Sequence, residues 1–381
     1  MFHYSHLNTA ARILASYEGG QPFGLYLKEF FRQDKKYGSR DRRQISHLCY
    51  CYFRLGRLSP DEAMTDRILT GLFLCSETAD ELLINLKPDW AKAINKPIEE
   101  KCSIAGVTYS SGQHFPFADL VSTEIDPIKF SVSHFIQPDL FIRVRPGEGT
   151  TVRNKLSNAG VNYRVITENN LAMPNSTKVD DLLLIDKEAV IQDESSQRVG
   201  DMIPVDIAGK RVWDCCAASG GKSILAVDRL GAIDLTVSDI RDNILHNLRA
   251  RFVKAGISRY KSFVADLGAR PLGRQEQFDL ILADVPCSGS GTWGRTPEHL
   301  RFFAEEKIWH YSSLQKKIID NCLPSLVAGG SFLYITCSVY RAENEEAVDY
   351  ISNKGLRLVN MNYFKGYERK ADTMFAALFT I

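Results

Sequence analysis

The chain has 381 residues, of which 44% are hydrophobic and 24% are charged, a composition typical of a globular protein with two or three domains. This composition excludes a disordered, collagenous or coiled-coil protein. The chain carries 47 Lys and Arg against 46 Asp and Glu, so its net charge of +1 predicts neither a nucleic-acid nor a membrane partner. Any polyanion site must therefore come from a local patch of charge.

The first twenty residues lack a basic start followed by an apolar stretch, so no signal peptide is expected. Apolar runs such as 182–185 and 280–283 are far shorter than the roughly 20 residues that cross a bilayer. The nine cysteines show no C-x-x-C spacing, which favours neither a disulfide framework nor a zinc site. We therefore expect a cytoplasmic protein without a membrane partner or a bound metal, and we expect a monomer.

The N-terminal part of the chain is predicted to be helical, because apolar residues recur at helical spacing from Ile13 to about Leu86. We assign residues 1–125 to this domain. Between Lys28 and Arg57, nine basic residues stand against three acidic ones, which indicates either a solvated helix face or a contact with nucleic-acid phosphates. These basic residues are Lys28, Arg32, Lys35, Lys36, Arg40, Arg42, Arg43, Arg54 and Arg57.

A small α+β module is predicted over residues 126–200. Its expected elements are a strand over 139–145, a helix over 151–159, and strands over 163–167 and 182–185. Arg143 and Arg145 then share one strand face. They would either meet a sugar-phosphate chain or protect an edge strand from pairing with another molecule.

Residues 201–381 alternate short apolar runs with helical stretches, which is typical of a parallel sheet with helices on both faces. A last strand over 374–381 has no crossover helix after it and is predicted to be antiparallel. The five preceding strands are predicted over 212–216, 235–239, 262–266, 278–284 and 332–337. Ligands of such sheets bind at the carboxyl ends of the strands, where the strand order reverses.

The loop after the first of these strands, DCCAASGGK over 214–222, is a candidate nucleotide site. Its adjacent glycines permit a tight turn, and the helix that follows offers free N–H groups to an anion. The loop does not supply the G-x-G-x-x-G of a dinucleotide site. It meets the end of a P-loop at Gly221, Lys222 and Ser223, but Cys216 occupies the position of the first glycine.

S-adenosylmethionine is the third candidate ligand. It requires N–H donors for its carboxylate, an acid after the second strand for its ribose hydroxyls, and a polar group after the third strand for its adenine. Asp239 follows Gly220 by nineteen residues, close to the spacing of a ribose acid, and Asp266 ends the third strand. Either aspartate alone could be a helix cap. Together and in order, they favour the methyl donor.

Two cysteines follow the fourth and fifth strands, at Cys287 and Cys337. A lone cysteine at a strand end is most often a small buried hydrophobe, but two at neighbouring ends suggest chemistry. A thiolate that adds to carbon 6 of a pyrimidine makes carbon 5 nucleophilic towards a sulfonium methyl group. Asp284 could accept a hydrogen bond from the amino group of cytosine, or donate one to ring nitrogen 3 when protonated, whereas uracil would present the wrong partner.

These motifs resemble the RsmB/NOP (Sun/Fmu-type) family of RNA cytosine-C5 methyltransferases. The resemblance implies a Rossmann-like class I S-adenosylmethionine-dependent methyltransferase domain, after an N-terminal NusB-like helical domain and an RRM-like module. It implies that Cys337 is the nucleophile, that Cys287 assists release of the methylated RNA, and that Asp284 lines the donor site. The implied donor site consists of Cys216, Ala217, Ala218, Ser219, Gly220, Gly221, Lys222, Asp239, Asp266 and Asp284. The motifs that carry the resemblance are 191–197, 216–222, Asp239, Asp266, 284–289 and 336–338.

Ser219 departs from the family pattern, which has proline there, and could weaken donor binding. A second basic cluster, with eight basic residues against two acidic ones from Arg241 to Arg274, adds to the expectation of an RNA partner. Ribosomal RNA, in particular 16S rRNA, is the first substrate expected, and transfer RNA is the second. Two alternatives of other classes remain: a P-loop-like RNA-dependent ATPase that uses Lys222, Ser223 and Asp284, and a non-catalytic ribosome-assembly factor.

Overall fold

A computed structural model describes residues 2–34, 36–207, 210–272 and 276–381 of the chain. Lys35 and Arg274, two members of the predicted basic clusters, lie outside these residues. The chain divides into two compact units. The helical unit consists of Met1–Val121, Asp126–Gln137 and Thr292–Glu305, and the sheet unit consists of Ser122–Ile125, Pro138–Gly291 and Glu306–Ile381. The three domains assigned from the sequence stay a prediction.

The elements are numbered along the chain. The α-helices are α1 (Phe2–Ser16), α2 (Phe23–Gln33), α3 (Ser39–Arg54), α4 (Met64–Cys75), α5 (Glu81–Leu86), α6 (Pro88–Lys92), α7 (Ile98–Ala105), α8 (Ser111–His114), α9 (Pro127–Ser133), α10 (Gly149–Asn158), α11 (Glu194–Arg198), α12 (Gly221–Leu230), α13 (Asp242–Lys254), α14 (His299–Phe302), α15 (Glu306–Cys322) and α16 (Glu345–Asn353). The strands are β1 (Leu140–Val144), β2 (Arg164–Thr167), β3 (Asn170–Met173), β4 (Ala189–Ile191), β5 (Arg211–Asp214), β6 (Asp234–Asp239), β7 (Tyr260–Val264), β8 (Phe278–Asp284), β9 (Leu326–Thr336), β10 (Arg357–Phe364) and β11 (Met374–Thr380).

The helical unit has a hydrophobic core built from the 3.6-residue periodicity seen in the sequence. In α3, for example, Ile45, Leu48 and Cys49 are fully buried. Arg54, at the end of this helix, is also buried and donates to the carbonyls of His134 and Gly294 at 2.7 Å, so it does not belong to the basic surface. The remaining described members of that cluster are exposed. No helix in the described part of the chain is long and apolar enough to cross a membrane.

The sheet unit contains a four-stranded antiparallel sheet of order β2-β3-β1-β4. The chain order β1-α10-β2-β3-β4 is that of a split β-α-β module, with a short 3-10 turn (Val179–Asp181) before β4. The strand predicted over 182–185 is wrong. Leu183 is buried in the module core but Leu184 is exposed, and the backbone there turns instead of pairing along its length. The short apolar run at 182–185 therefore indicates a partly buried segment and not a strand.

The expected exposure of Arg143 and Arg145 is also wrong. Strand β1 lies between β3 and β4 and is not an edge strand. Both guanidinium groups pair with the buried carboxylate of Asp228 on α12, where Arg145 Nη2 lies 2.6 Å from Asp228 Oδ1. Since a buried charge needs a partner of opposite sign, these arginines fasten the small sheet to the helix that follows β5.

The larger sheet has seven strands in the order β10-β11-β9-β8-β5-β6-β7. Strands β5 to β9 are parallel, and β11 is antiparallel between β9 and β10, as the missing crossover helix predicted. Residues 278–283 of β8 are buried throughout, as expected of a strand covered on both faces. The strand order reverses between β5 and β8, and this switch point determines where the site lies.

Candidate active site

A cavity of about 470 Å³ lies at the carboxyl ends of β5 to β9 in the sheet unit. Its wall includes acidic side chains that follow three of these strands, namely Asp239, Asp266 and Asp284, together with both cysteines predicted for catalysis, Cys287 and Cys337. Parallel strands end at one edge of a sheet, so residues 50 positions apart in sequence converge here. The rest of the wall consists mainly of apolar groups, among them Leu314 and Ile318 of α15.

The two thiols are in direct contact. The Sγ atoms of Cys287 and Cys337 are 3.3 Å apart, and both cysteines are free and half-buried. The hydrogen bond with Cys337, together with burial, raises the pKa of the Cys287 thiol well above its usual range. Cys287 therefore keeps its proton at neutral pH. In this contact either sulfur could be the donor.

A buried carboxylate links the two cysteine loops. Glu343 is fully buried and accepts hydrogen bonds from the backbone N–H of Ser288 at 2.8 Å and from Ser338 Oγ at 2.7 Å, each of which directly follows one of the cysteines. Gln315 of α15 donates both to Glu343 Oε2 at 3.1 Å and to the carbonyl of Pro286 at 3.0 Å. Burial raises the pKa of Glu343. These contacts hold both loops in one arrangement.

The predicted donor loop turns between β5 and α12. Ala218 and Gly220 both adopt left-handed backbone conformations, with φ of 45° and 84°. A Cβ atom at Gly220 would lie 2.7 Å from the ring of Phe252, so only glycine fits there. The backbone N–H of Ala218 donates to Asp239 Oδ2 at 2.9 Å, which joins the first and second strand ends. No heavy atom lies within 4 Å of the place that a Cβ atom would take at Gly221, the first residue of α12, and the first N–H groups of a helix have no partner within the helix.

Lys222 and Ser223 are both engaged within the protein. Lys222 Nζ donates to Asp284 Oδ2 at 3.0 Å and to Ser196 Oγ at 2.8 Å. Ser223 Oγ donates to Asp214 Oδ2 at 2.6 Å. A P-loop would direct this lysine and serine to phosphate and magnesium instead. The arrangement favours the methyl-donor interpretation of the loop.

Asp214, the last residue of β5, is fully buried beneath the donor loop. Burial raises its pKa from the ordinary 3.8 to about 7, and the nearby negative charge of Asp284 acts in the same direction. Its Oδ1 atom has no hydrogen-bond partner among the described residues. The protonated acid is therefore the form that suits this position at slightly acidic pH.

Not all of the predicted site residues line the cavity. Cys216 and Ala218 do so with the five residues named above, whereas Ala217, Ser219, Gly220, Gly221 and Lys222 are not among its described lining residues. The sequence interpretation did not single out Glu343 or Tyr311. Tyr311 of α15 is the aromatic member of the described lining, and burial together with nearby Cys287 raises its pKa. The sequence pattern of α15 did not distinguish Tyr311 as a site residue, because the apolar residues of this helix lie on several of its faces.

Within the described ranges, no group of three or more His, Cys, Asp or Glu side chains could hold a metal ion. Of the second basic cluster, Arg251 is half-buried and paired with Asp186, and Arg241 pairs with Asp239. Lys261 pairs with Glu276 at 3.7 Å. The exposed members that remain are Arg249, Lys254, Arg259 and Arg270.

The sheet order, its antiparallel last strand pair and a site at the switch point define a Rossmann-like domain of the S-adenosylmethionine-dependent methyltransferase class, as predicted. Residues 206–377 match the family model described as 16S rRNA methyltransferase RsmB/F. Over these residues the chain is similar to that family, in agreement with the resemblance of its motifs.

Curated relatives agree with this assignment. Ribosomal RNA small subunit methyltransferase B of Xanthomonas campestris pv. campestris is 32% identical over 163 residues, covering 42% of this chain and 37% of the relative. Ribosomal RNA small subunit methyltransferase F of Shewanella piezotolerans is 30% identical over 168 residues, covering 44% of this chain and 32% of the relative. The matches thus span about a third of the relatives' own length.

Solved structures share the fold. PH0851 aligns with a TM-score of 0.72 and 18% identity over 99% of this chain and 98% of that chain. NSun6 from Pyrococcus horikoshii with SFG aligns with a TM-score of 0.60 and 15% identity over 69% of this chain and 96% of that chain.

Proposed function

We propose that the chain transfers a methyl group from S-adenosylmethionine to carbon 5 of cytosine in RNA, through a covalent bond between a cysteine and carbon 6. Ribosomal RNA of the small subunit is the first substrate, since the relatives named above are methyltransferases of that RNA. The observation that carries the proposal is the 3.3 Å contact between Cys287 and Cys337 in a cavity that also contains the carboxylates expected to hold the donor.

The donor would bind along the ends of β5, β6 and β7. The free N–H groups at the start of α12 suit its carboxylate, Asp239 suits its ribose hydroxyls, and Asp266 suits its adenine. S-adenosylmethionine supplies an electrophilic methyl group. The lining of the cavity includes both these acids and the two thiols, and it would let donor and base meet within one cavity of about 470 Å³.

Asp284 would read the edge of the flipped cytosine. Its Oδ2 is fixed by Lys222 Nζ, so the carboxylate has one orientation in the cavity. An ionised carboxylate accepts from the amino group of cytosine and would face a carbonyl in uracil. The target base must leave its stack to reach this position, which favours a loop or a locally opened helix as substrate.

Cys337 would act as the nucleophile and Cys287 as its partner in release. As the bond from Cys337 Sγ to carbon 6 forms, carbon 5 gains electron density and takes the methyl group. A base then takes the carbon 5 proton and passes it to water, the electron pair of that bond forms the double bond between carbons 5 and 6, and the bond from sulfur to carbon 6 breaks, which returns the Cys337 thiolate that began the cycle and 5-methylcytosine. Cys287, whose Sγ lies 3.3 Å from that of Cys337, would hydrogen-bond to the departing thiolate and so assist its release.

Two single variants test the assignment. Incubation with labelled S-adenosylmethionine and small-subunit RNA should give no methylation and no adduct with Cys337→Ala. Cys287→Ala should accumulate a covalent RNA adduct, visible as a slowly migrating band in a denaturing gel. Cys75→Ser, which changes a half-buried cysteine of the helical unit, is the matched control and should behave like the native chain.

Bisulfite sequencing of RNA from cells with and without the gene would name the target cytosine. A target in transfer RNA would replace ribosomal RNA as the substrate. Donor binding without any methylated cytosine would indicate a non-catalytic assembly factor. Binding of a nucleoside triphosphate with magnesium, and none of S-adenosylmethionine, would favour an ATPase. If Cys337→Ala accumulates the covalent adduct and Cys287→Ala gives neither methylation nor adduct, the roles of the two thiols are exchanged.

A further inference from the structure

The donor loop is held from outside by an arginine of the neighbouring helix. Arg251 lies on α13, and its Nη1 donates to both the carbonyl and the Oγ of Ser219, each at 3.0 Å. The other side of the same guanidinium group faces Asp186, with Nη2 at 2.7 Å from Oδ1 and Nε at 3.1 Å from Oδ2. One planar group therefore spans the donor loop and the small antiparallel module.

Asp186, the partner of Arg251 in this contact, is itself held in place by burial and by hydrogen bonds. It is almost fully buried, adopts a left-handed backbone with φ of 70°, and donates its N–H to the carbonyl of Ala189 at 2.8 Å. Its own carbonyl accepts from Arg145 Nη1 at 3.0 Å, and Arg145 is in turn held by Asp228 of α12. Asp186 is thus connected to both α13, through Arg251, and α12, through Arg145 and Asp228.

Ser219 is the point of the loop at which restraint matters. It lies between Ala218 and Gly220, both in left-handed conformations, and a loop with such backbone angles persists only when its surroundings hold it. From the inner side, Ala218 is fixed by Asp239. Arg251 supplies the second hold from the outer side. The family pattern has proline at 219, whose ring restricts the backbone directly. In this chain the hydrogen bonds from Arg251 to Ser219 restrain the backbone at that position instead.

We propose that Arg251 is a positioning residue for the methyl donor, which with Asp186 clamps Ser219 so that the loop keeps its donor-binding shape. The proposal rests on the proposed function, because it concerns the affinity of that same donor site. It assigns a role to the small module as well: through Asp186 the module supports the donor loop. Arg251 would act through Ser219, since it is not among the described lining residues of the cavity.

A double-mutant cycle tests the clamp by isothermal titration of S-adenosylhomocysteine into the full chain. Arg251→Met should weaken binding about tenfold, the cost of ordering roughly one residue of backbone when the ligand binds. Ser219→Pro should bind as tightly as the native chain, because the ring replaces the clamp. In the double variant, Arg251→Met should then cost less than about threefold, since the two restraints act on the same residue.

Arg249→Met, an exposed arginine on the same helix, is the control and should leave binding unchanged. Should Arg251→Met fail to fold, Arg251→Lys keeps the charge beside Asp186 but cannot span both partners, and it should show the same loss and the same rescue by proline. If Arg251→Met weakens S-adenosylhomocysteine binding equally whether residue 219 is serine or proline, or does not weaken it at all, the clamp is overturned and the proposed function is unaffected. A native chain that binds no S-adenosylhomocysteine would overturn both.

Discussion

Replacing Asp214 with asparagine should remove a specific pH dependence from the stability of the sheet unit. The carboxyl group is fully buried, its Oδ2 accepts from Ser223 Oγ at 2.6 Å, and its Oδ1 has no partner among the described residues. Asparagine is neutral and of nearly the same shape, so it reproduces the protonated acid. It can still accept from Ser223 through its amide oxygen.

The sign and size follow from the pKa. Burial raises the pKa of Asp214 from 3.8 to about 7, so the folded chain binds the proton more tightly than the unfolded chain does. The stabilisation is fully present below the unfolded pKa and is lost as the pH rises through about 7. At about 1.36 kcal/mol for each pH unit, it amounts to about 4 kcal/mol in all, of which about 3 kcal/mol disappears between pH 5 and pH 8.

Urea unfolding at pH 5 and at pH 8 measures this difference for the native chain and for Asp214→Asn. Other ionisable groups contribute equally to both proteins, so the difference between their pH slopes isolates Asp214. Asp279→Asn is the opposite case: the hydrogen bond from Arg211 lowers the pKa of that carboxyl, and its stabilisation is present at high pH and lost in acid. Identical pH slopes for the native chain and Asp214→Asn would refute the reasoning.

Three further variants probe other parts of the sheet unit. Asp239→Ala should weaken S-adenosylhomocysteine binding about 10- to 100-fold in calorimetry without changing RNA affinity, because it removes the acceptor for the ribose hydroxyls. Glu343→Gln should slow methyl transfer about 100-fold at saturating donor while leaving donor affinity unchanged, since it disturbs only the two cysteine loops, and Glu346→Gln on the adjoining helix should do neither. Asp228→Asn should lower the free energy of unfolding by about 3 kcal/mol in urea titrations, because it leaves two arginines facing each other without their shared carboxylate.

Hydrophobic patterning was sufficient to predict most of the large sheet. Strand β8 was predicted at its observed bounds because an unbroken apolar run is what a strand covered on both faces requires. The short elements of the small module were harder. The run 182–185 has the composition of a strand but packs as a turn, since Leu183 alone enters the core. In so short a segment, tertiary packing outweighs local preference.

The contacts between side chains at the site could be predicted from the sequence only where a motif places a residue at the end of a strand and the sheet order makes that strand end a neighbour of its partner's. The motifs placed Cys287 and Cys337 at neighbouring strand ends, and the sheet brings them into contact. Nothing in the sequence indicates that Arg143 and Arg145 would find Asp228, because their partner is 83 to 85 residues away on another element. A basic residue on a strand looks the same whether it binds RNA or a buried carboxylate.

The positions of the strand ends are determined by the sheet, but the reacting groups lie one to five residues beyond them, on loops. Methyl transfer requires carbon 5 and the methyl group to approach within about 3.5 Å, so a loop that shifts by 1 Å removes most of the advantage of proximity. Two separate charged groups restrain the two kinds of loop: Arg251 holds Ser219 from outside the sheet, and Glu343 holds Ser288 and Ser338 beneath the thiols. Because the described hydrogen-bond partners of Arg251 and of Glu343 are different residues, the loss of each group should affect a different step. Variants of Arg251 should change donor affinity alone, variants of Glu343 should change the covalent step alone, and combining them should give additive effects on the overall rate.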